Sequence, residues 1–161
     1  MKYCYECGEK LTERELENEG TVPYCEKCGE YRFPIFSTAV SMIVENPDKT
    51  KILLIQQYGR KNNILVAGYV NKGENAENAV IREVMEETGL KVVDMSFNKS
   101  EYFEKTNTLM LNYSCRVENE SLAHLNTGEV DKAQWFTHEQ ACENIKPDSL
   151  AKKFLFHYLG K

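Results

Sequence analysis

Hydrophobic and polar residues follow one another in blocks that predict a mixed α/β fold. Two runs rich in Val, Ile, Leu and Met, residues 38–44 and 51–57, flank a polar turn and predict a β-hairpin. A third strand-like run covers residues 64–70, and a polar loop then leads to Asn75, a residue type that caps helices. The pattern next predicts a helix over residues 76–88.

The spacing of apolar residues in this helix predicts which side faces the core. Ala76, Val80, Val84 and Ile81 form one stripe at helical spacing. Gly89 follows at the place where a glycine commonly ends a helix. The helix is therefore expected to be amphipathic, with its polar residues available for chemistry.

The rest of the chain predicts further strands and one final helix. The strands are expected at residues 92–97, 101–105 and 108–117 and around Trp135 and Phe136, and the helix at residues 147–159. In that helix Leu150, Phe154, Leu155 and Tyr158 are expected to point inward.

Length and composition indicate one main domain with a small appended module. The chain has 161 residues, of which 42% are hydrophobic and 28% charged, as in ordinary globular proteins. We place the module at residues 1–33 and the main domain at residues 34–161. No apolar run reaches membrane-spanning length and no signal-like stretch opens the sequence, so we expect a cytoplasmic protein.

The net charge of -5 provides no general field for attracting nucleic acid or anionic lipid. Residues 1–34 are themselves acidic, with five Lys or Arg against eight Glu. We therefore do not expect nucleic acid or membrane as a partner, and a phosphate substrate would need a cation to mediate its binding.

Four cysteines near the N-terminus predict a structural metal site. Cys4 and Cys7 form one Cys-x-x-Cys pair and Cys25 and Cys28 another, separated by 17 residues. This spacing lets four thiolates converge on one Zn²⁺, and a closed four-thiolate shell leaves no position for catalysis. Unrelated or redox-active cysteines are the alternative. The two remaining cysteines, Cys115 and Cys142, are expected to be buried and inert.

Three glutamates lie together on the predicted helix. Glu83, Glu86 and Glu87 occupy an arc of roughly 100° beside the apolar stripe. Carboxylate oxygens of this kind suit Mg²⁺ or Mn²⁺. A solvent-exposed acidic helix face is the alternative, and it would be the preferred interpretation if the three glutamates were the only observation.

The segment from Gly68 to Leu90 reads GYVNKGENAENAVIREVMEETGL and resembles the Nudix box, G-x5-E-x7-R-E-U-x-E-E-x-G-U, where U is aliphatic. Every fixed position matches, and the resemblance to the Nudix family covers the chain after Phe33. It implies a mixed sheet between helices and a loop-helix-loop box that binds Mg²⁺ or Mn²⁺. The box positions that carry the match are Gly68, Glu74, Arg82, Glu83, Val84, Glu86, Glu87, Gly89 and Leu90.

The same resemblance implies roles for individual residues. Glu83, Glu86 and Glu87 would be metal ligands, joined by the carbonyl of Ala67 and by an acid from a later loop, for which Glu129 is preferred over Asp131. Glu129 as a plain surface residue is the alternative. Glu74 would hold Arg82, and Gly68 would allow the backbone to pass close to the metal site.

The chemistry implied is hydrolysis of a diphosphate bond in a nucleotide derivative. Bound cations would neutralise the diphosphate and lower the pKa of a water molecule, and Glu86 or Glu87 would orient or deprotonate that water.

A four-cysteine module before a Nudix domain resembles the NADH pyrophosphatase branch, also called NAD+ diphosphatases. That branch carries S-Q-P-W-P-F-P-x-S beyond the box, whereas residues 100–108 here read SEYFEKTNT, which matches at the ends and differs inside. Tyr102 and Phe103 in this window and Phe33 are the candidate substrate contacts. The branch also implies a homodimer.

NADH or NAD+, cleaved to NMN(H) and AMP, is therefore the expected substrate. ADP-ribose, FAD or another nucleoside diphosphate derivative is the alternative within the enzyme class. Removal of NAD-like caps from RNA would use the same chemistry but needs a basic approach path that the composition does not supply. A Nudix fold that only senses a ligand or binds a partner is the alternative outside the enzyme class.

Overall fold

The computed structural model of the chain describes residues 1–126 and 128–161. These residues divide into two units, Met1–Phe36 and Ser37–Lys161, which we call the cysteine unit and the main unit. In the part of the chain that is described, no helix is long and apolar enough to cross a membrane.

The cysteine unit is built on a small antiparallel sheet. Its strands β1 (Thr12–Leu16), β2 (Gly20–Cys25) and β3 (Glu30–Tyr31) lie in that order. Little apolar material is buried here, and Cys4, Val22 and Cys25 make up its core. A sheet this small needs additional cross-links to be stable.

In its described residues, the main unit contains six strands and three α-helices. They are β4 (Ser37–Glu45), β5 (Lys51–Gln57), β6 (Val66–Tyr69), α1 (Ala76–Thr88), β7 (Val92–Phe103), β8 (Thr108–Val117), β9 (Val130–Thr137), α2 (His138–Asn144) and α3 (Leu150–Tyr158). A short 3₁₀ turn, Glu104–Thr106, joins β7 to β8.

The six strands form one mixed sheet with the order β7-β8-β4-β5-β9, and β6 pairs with β4. β4 runs parallel to β8 from Ser37 opposite Thr108 to Glu45 opposite Arg116, while the other pairs are antiparallel. The predicted hairpin of β4 and β5 is confirmed, as is the mixed α/β class.

Helices cover both faces of this sheet, because its central strands are apolar on both sides. α1 packs through Val80 and Val84 on one face. α2 and α3 pack on the other face, where Phe154 and Leu155 are fully buried. The sheet sandwiched between helices therefore matches the expected architecture.

Several details differ from the sequence-based prediction. Ile81 is 44% exposed, because it lies at the edge of the α1 stripe and Val80 and Val84 already fill the core side. Cys142 is only half-buried, whereas Cys115 is buried as expected. β7 is one strand of 12 residues rather than two short ones, because its pairing with β8 continues through a register shift between Phe97 and Lys99.

The C-terminal part contains one helix that the apolar pattern did not predict. α2 is capped by Thr137, whose hydroxyl accepts from the Gln140 backbone N–H while the Gln140 side chain accepts from the Thr137 backbone N–H. α3 begins later than predicted, after Ser149, whose hydroxyl accepts from the backbone N–H of Lys152 at 3.1 Å.

Candidate functional site

Helix α1 presents the three glutamates with well-defined ends. The Asn75 side chain accepts from the Asn78 N–H at 2.8 Å, and Gly89 ends the helix in the left-handed conformation with φ of 71°. The predicted bounds and both caps are confirmed. Because Val80 and Val84 fix the buried side, Glu83 and Glu87 lie at its border while Glu86 is more exposed.

Gly68 on β6 faces the carboxyl group of Glu83 at very short range. A Cβ atom at Gly68 would lie 1.9 Å from Cδ of Glu83, far below any van der Waals contact. The absence of a side chain at Gly68 therefore makes the space that the Glu83 carboxylate occupies. This explains in physical terms why a glycine is needed at the start of the box.

Glu87 is the most buried acid of the group, with 4% of its surface exposed. Its Oε1 accepts from the side-chain amide of Gln57 at 2.7 Å, and its buried Oε2 has no hydrogen-bond partner among the described residues. Burial raises the pKa of Glu87 to about 7, and the charges of Glu83, Glu129 and Glu86 add to this effect against the Gln57 hydrogen bond.

Arg82 organises the loop before α1 and two of the glutamates. Its guanidinium binds Glu74 through Nε at 2.8 Å and Nη2 at 2.9 Å, and its Nη1 contacts Glu83 at 2.6 Å and Glu86 at 2.9 Å. The hydrogen bonds from Arg82 and from the Asn71 N–H lower the pKa of Glu74 to about 2. The expected Glu74–Arg82 contact is present, and Arg82 in addition holds Glu83 and Glu86 in place.

A pocket of about 440 Å³ opens beside these carboxylates. Of the residues singled out from the sequence, it brings together Ala67, Gly68, Glu83, Glu87 and Glu129. Among the residues that the structure describes, the lining does not include Glu86, Tyr102 or Phe103.

Glu129 and Asp131, the two candidates for the additional metal-binding acid from a later loop, have different surroundings. Glu129 lines the pocket, and its charge contributes to the raised pKa of Glu87. Asp131 instead accepts from the Gly59 N–H at 2.7 Å and so holds the turn after β5. This placement favours Glu129 over Asp131.

Two tyrosines of the pocket wall were not identified from the sequence. Tyr58 follows β5 with a left-handed backbone, φ of 53°, and is 72% exposed; Tyr69 ends β6 and is 57% exposed. A bulky residue with positive φ is unusual and is a reason to look for function. Tyr69 could have been identified from its place inside the Nudix box. The left-handed backbone of Tyr58 could not be predicted from the residues next to it in the sequence.

Tyr102 takes part in a local contact instead, since its hydroxyl donates to the Asn107 side chain at 2.5 Å. Phe33 belongs to the cysteine unit and is 53% exposed. The predicted substrate contacts of Phe33, Tyr102 and Phe103 stay predictions.

The residues of the pocket fit a hard divalent cation. All candidate donors are oxygens, which Mg²⁺ and Mn²⁺ prefer. The unpartnered Oε2 of Glu87 is a buried acceptor without a donor, and Gly68 keeps the Glu83 carboxylate in the same pocket. A cation held by Glu83 and Glu87 would satisfy that oxygen and offset the repulsion between the acids.

The four cysteines of the other unit lie together. Their Sγ atoms are all within 4.8 Å of one another, with 3.9 Å between Cys4 and Cys28 and 3.5 Å between Cys7 and Cys25. A tetrahedral site with metal–sulfur bonds of about 2.3 Å requires sulfur atoms about 3.8 Å apart. The cluster therefore fits one four-coordinate metal ion such as Zn²⁺.

A buried arginine accompanies this cluster. Arg32 is 3% exposed, and its Nε donates to the Cys4 sulfur at 3.3 Å. The two Nη atoms contact Glu6 at 2.6 Å and Glu30 at 2.7 Å. The hydrogen bond from Arg32 is the main cause that lowers the pKa of Cys4 to about 6, so a thiolate is favoured at this sulfur.

Curated proteins that resemble the chain include NAD-capped RNA hydrolases. The chain is 26% identical over 159 residues to an NAD-capped RNA hydrolase NudC from Haemophilus influenzae, covering 97% of this chain and 59% of the relative. It is 24% identical over 160 residues to the protein of that name from Pseudomonas aeruginosa, covering 99% of this chain and 56% of the relative. The chain thus spans less than two thirds of the length of these relatives.

Solved structures with the same fold include a NUDIX hydrolase from Nitrosomonas europaea, with a TM-score of 0.65 and 18% identity over 98% of this chain and 91% of that chain. A MutT structure from a study of the Aliivibrio salmonicida and Vibrio cholerae proteins aligns with a TM-score of 0.61 and 20% identity, over 75% of this chain and 98% of that chain. These likenesses establish the fold.

The family model of the NUDIX domain matches residues 36–158, which is most of the main unit and includes the whole glutamate helix. Together with the loop-helix-loop geometry described above, this match shows that the chain belongs to the NUDIX domain family.

Proposed function

We propose that this protein is a Mg²⁺- or Mn²⁺-dependent pyrophosphohydrolase that cleaves the diphosphate bond of NADH or NAD+ to give NMN(H) and AMP. The observation that carries the proposal is the pocket in which Glu83, Glu87 and Glu129 meet beside Ala67 and Gly68. The named relatives are hydrolases of nucleotide-derived substrates and support the same reaction class.

In this proposal Glu83, Glu86 and Glu87 of the box hold the catalytic cation together with Glu129 and the Ala67 carbonyl. The cation supplies charge neutralisation and Lewis acidity at the diphosphate. Glu86 or Glu87 accepts the proton of the attacking water, and Arg82 keeps Glu83 and Glu86 in position. Water adds to one phosphorus, the P–O–P bond breaks, and each product keeps one phosphate.

The walls of the pocket support a substrate with aromatic rings. No Lys or Arg lines it among the described residues, so the cation must bind the phosphates, while Tyr58 and Tyr69 offer aromatic faces for a base or a nicotinamide ring. Thr106 and Thr108 add hydroxyl groups to the lining, at the turn between β7 and β8.

A second candidate substrate is NAD-capped RNA, which the names of the relatives favour. The bond cleaved is the same, and only the attached chain differs. ADP-ribose and FAD are further alternatives with the same reacting group.

For the cysteine unit we propose Zn²⁺ as the structural ion, bound by Cys4, Cys7, Cys25 and Cys28. Four free thiols in one cluster suit a reducing compartment, which supports a cytoplasmic location. A homodimer is proposed from the resemblance to the NADH pyrophosphatase branch alone.

The decisive experiment is product analysis on a panel of NADH, NAD+, ADP-ribose, FAD, dinucleoside polyphosphates and an NAD-capped oligoribonucleotide with Mg²⁺ or Mn²⁺. Wild type is compared with Glu86→Gln, Glu87→Gln and, as a matched control, Glu143→Gln on the exposed side of α2. We expect release of NMN(H) and AMP, abolished in the Glu86 and Glu87 variants and retained in the control. Cleavage of no substrate would overturn the hydrolase proposal and favour a ligand-binding module.

A further inference from the structure

Two adjacent glutamines at the end of β5 point to opposite faces of the main sheet. Gln56 donates its side-chain amide to the Asn63 side chain at 2.9 Å, whereas Gln57 donates to Oε1 of Glu87 at 2.7 Å. Residues two apart on a strand share a face, and Gln57 follows Ile55, which packs in the core cluster beneath α1. Of the two glutamines, Gln57 is therefore the one that reaches α1.

The backbone around Gln57 is held on both sides. Gln57 pairs with Val130 of β9, and the register between the two strands shifts just before this pair. Irregular pairing of this kind next to a functional site commonly re-aims a side chain. The chain then turns at once, since the Arg60 N–H donates to the Gln57 carbonyl at 3.1 Å and the Gly59 N–H donates to Asp131 at 2.7 Å. The Gln57 side chain therefore extends from a backbone that several contacts fix.

Glu87, the acceptor of this hydrogen bond, is fixed as well. Its backbone carbonyl accepts from the Asn126 N–H at 3.2 Å, and only 4% of its surface is exposed, so its side chain has little room to change rotamer. Gln57 occupies Oε1, and the buried Oε2 has no hydrogen-bond partner among the described residues. The contact with Gln57 thus determines which oxygen of this carboxylate remains available to a ligand.

The donor at Glu87 is neutral, unlike the donor at the two neighbouring acids. Arg82 contacts Glu83 at 2.6 Å and Glu86 at 2.9 Å with a positive charge that also offsets theirs. An amide orients a carboxylate without a charge of its own, and so it does not compete with a cation. Gln57 and Glu87 both line the pocket of about 440 Å³, which we call the carboxylate pocket, so this orientation acts in the wall of the proposed cation site.

We propose that Gln57 is a positioning residue for the divalent cation: its amide holds Oε1 of Glu87 so that Oε2 is presented as the metal ligand. The role of the cation in this inference rests on the proposed function, whereas the hydrogen bond belongs to the fold itself. Removing the hydrogen-bond partner of a metal ligand typically lowers metal affinity about 10- to 100-fold. Gln57 should therefore act on the affinity for the cation, through Glu87.

The test is Mn²⁺ binding to the full chain without substrate, followed by the electron paramagnetic resonance signal of free Mn²⁺. We expect Gln57→Met, which keeps the length of the side chain but removes the donor, to raise the Kd for Mn²⁺ about 10- to 100-fold. Gln56→Met is the matched control, because it removes the same group from the adjacent residue, whose amide contacts Asn63 on the other face. The control should keep the Kd of wild type.

A double-mutant cycle tests whether Gln57 acts through Glu87. Glu87→Gln removes the ligand itself, so adding Gln57→Met to it should raise the Kd for Mn²⁺ little further. Fold-changes that multiply in the double variant would overturn the proposal. Gln57→Asn keeps the amide on a shorter side chain, so it repeats the test with a polar residue at this position and should also weaken binding. A wild-type Kd in both Gln57 variants would overturn the proposal as well.

NADH hydrolysis over a range of Mn²⁺ concentrations separates this inference from the proposed function. Gln57→Met should need more Mn²⁺ for half-maximal activity and recover the kcat of wild type at saturating Mn²⁺, because the loss is one of affinity. A lowered kcat that added Mn²⁺ does not restore would overturn the assignment to cation positioning. Weaker Mn²⁺ binding by Gln57→Met in a protein that cleaves no tested substrate would defeat the proposed function and leave the role of Gln57 in cation binding standing.

Discussion

The two candidate metal sites of this chain collect anionic side chains in opposite ways. In the cysteine unit, four sulfur atoms already lie within 4.8 Å of one another, and the buried guanidinium of Arg32 supplies a compensating charge. In the main unit, Arg82 contacts Glu83 and Glu86 from one side, while the buried Glu87 keeps an oxygen without a partner among the described residues.

The difference shows two ways in which a cluster of anionic side chains can have its charge repulsion offset. The four sulfur atoms of the cysteine cluster already surround a space that one metal ion would fill, which leaves no room for a further ligand. The carboxylate pocket gathers acids around an open cavity of about 440 Å³, and in the proposed reaction a cation and its phosphate ligand would complete it together. Substitutions at each site test this contrast.

Loss of a cysteine ligand should abolish the first site altogether. Cys25 is 0% exposed, and Cys25→Ser should reduce the bound zinc from one ion per chain to none and unfold the cysteine unit, because the unit has little other core. Elemental analysis and hydrogen exchange of residues 1–36 measure both effects. Cys142→Ser, outside the cluster, is the control; retention of zinc by the Cys25 variant would contradict a four-thiolate site.

A methyl group at Gly68 should damage the second site while leaving the fold in place. Gly68→Ala would force the Glu83 carboxylate away from its position, since the added Cβ lies 1.9 Å from Cδ of Glu83. A displacement of this size is expected to lower kcat about 100-fold. Gly73→Ala, in the loop between β6 and α1, places its methyl in open space and should cost stability rather than activity. Equal activity losses in both variants would argue against the Gly68 mechanism.

Removing the guanidinium beside the cysteines should weaken metal binding without abolishing it. For Arg32→Met we expect zinc affinity to fall about 10- to 100-fold in competition with a chromophoric chelator, as is typical when the hydrogen-bond partners of metal ligands are removed. Arg14→Met is the matched control, because Arg14 also pairs with a glutamate and stacks on a tyrosine but does not contact sulfur. A similar loss in both variants would assign the effect to the general charge of the unit.

The smallest effect concerns the stability of the main unit before a cation binds. The pKa of Glu87 is raised from 4.5 to about 7, mainly by burial. Between these two pH values the folded state therefore keeps a proton on Glu87 that the unfolded state has already released. Folding stability should therefore fall as pH rises from 4.5 to 7, by on the order of 2–3 kcal/mol. The loss should be complete above about pH 7 and absent below about pH 4.5.

Glu87→Gln should remove this pH dependence and be the more stable protein at about pH 8, above the raised pKa, without added Mg²⁺ or Mn²⁺. Urea unfolding can be followed through Trp135, the single tryptophan, which lies in β9 of the main unit. Added Mg²⁺ should stabilise wild type and leave the variant unaffected. A variant less stable than wild type at that pH would show that burial of the charged Glu87 carboxylate does not destabilise the folded state.

The glutamate helix was the part of the structure most predictable from the sequence. Its bounds, the Asn75 cap and the end at Gly89 follow from local rules. The box spacing also identified Gly68, Glu83 and Glu87, which line the pocket, whereas Glu86 from the same box does not. The four-cysteine cluster was predictable for the same reason, because short sequence spacing constrains where the sulfur atoms lie.

Features that depend on contacts between distant segments were not predictable. Gln57 reaches Glu87, and Asp131 holds the turn at Gly59, only because the sheet brings β5, β9 and α1 together. The left-handed backbone of Tyr58 has the same origin.

The parallel pairing of β4 with β8 also sets an order of events during protein synthesis. Ser41 and Asn112 are paired although they are 71 positions apart, so the sheet beneath the carboxylate pocket cannot close until β8 has left the ribosome. The last sulfur ligand, Cys28, emerges long before that point. A nascent chain can thus complete its four-cysteine cluster while the segment that carries the carboxylate pocket is still unfolded.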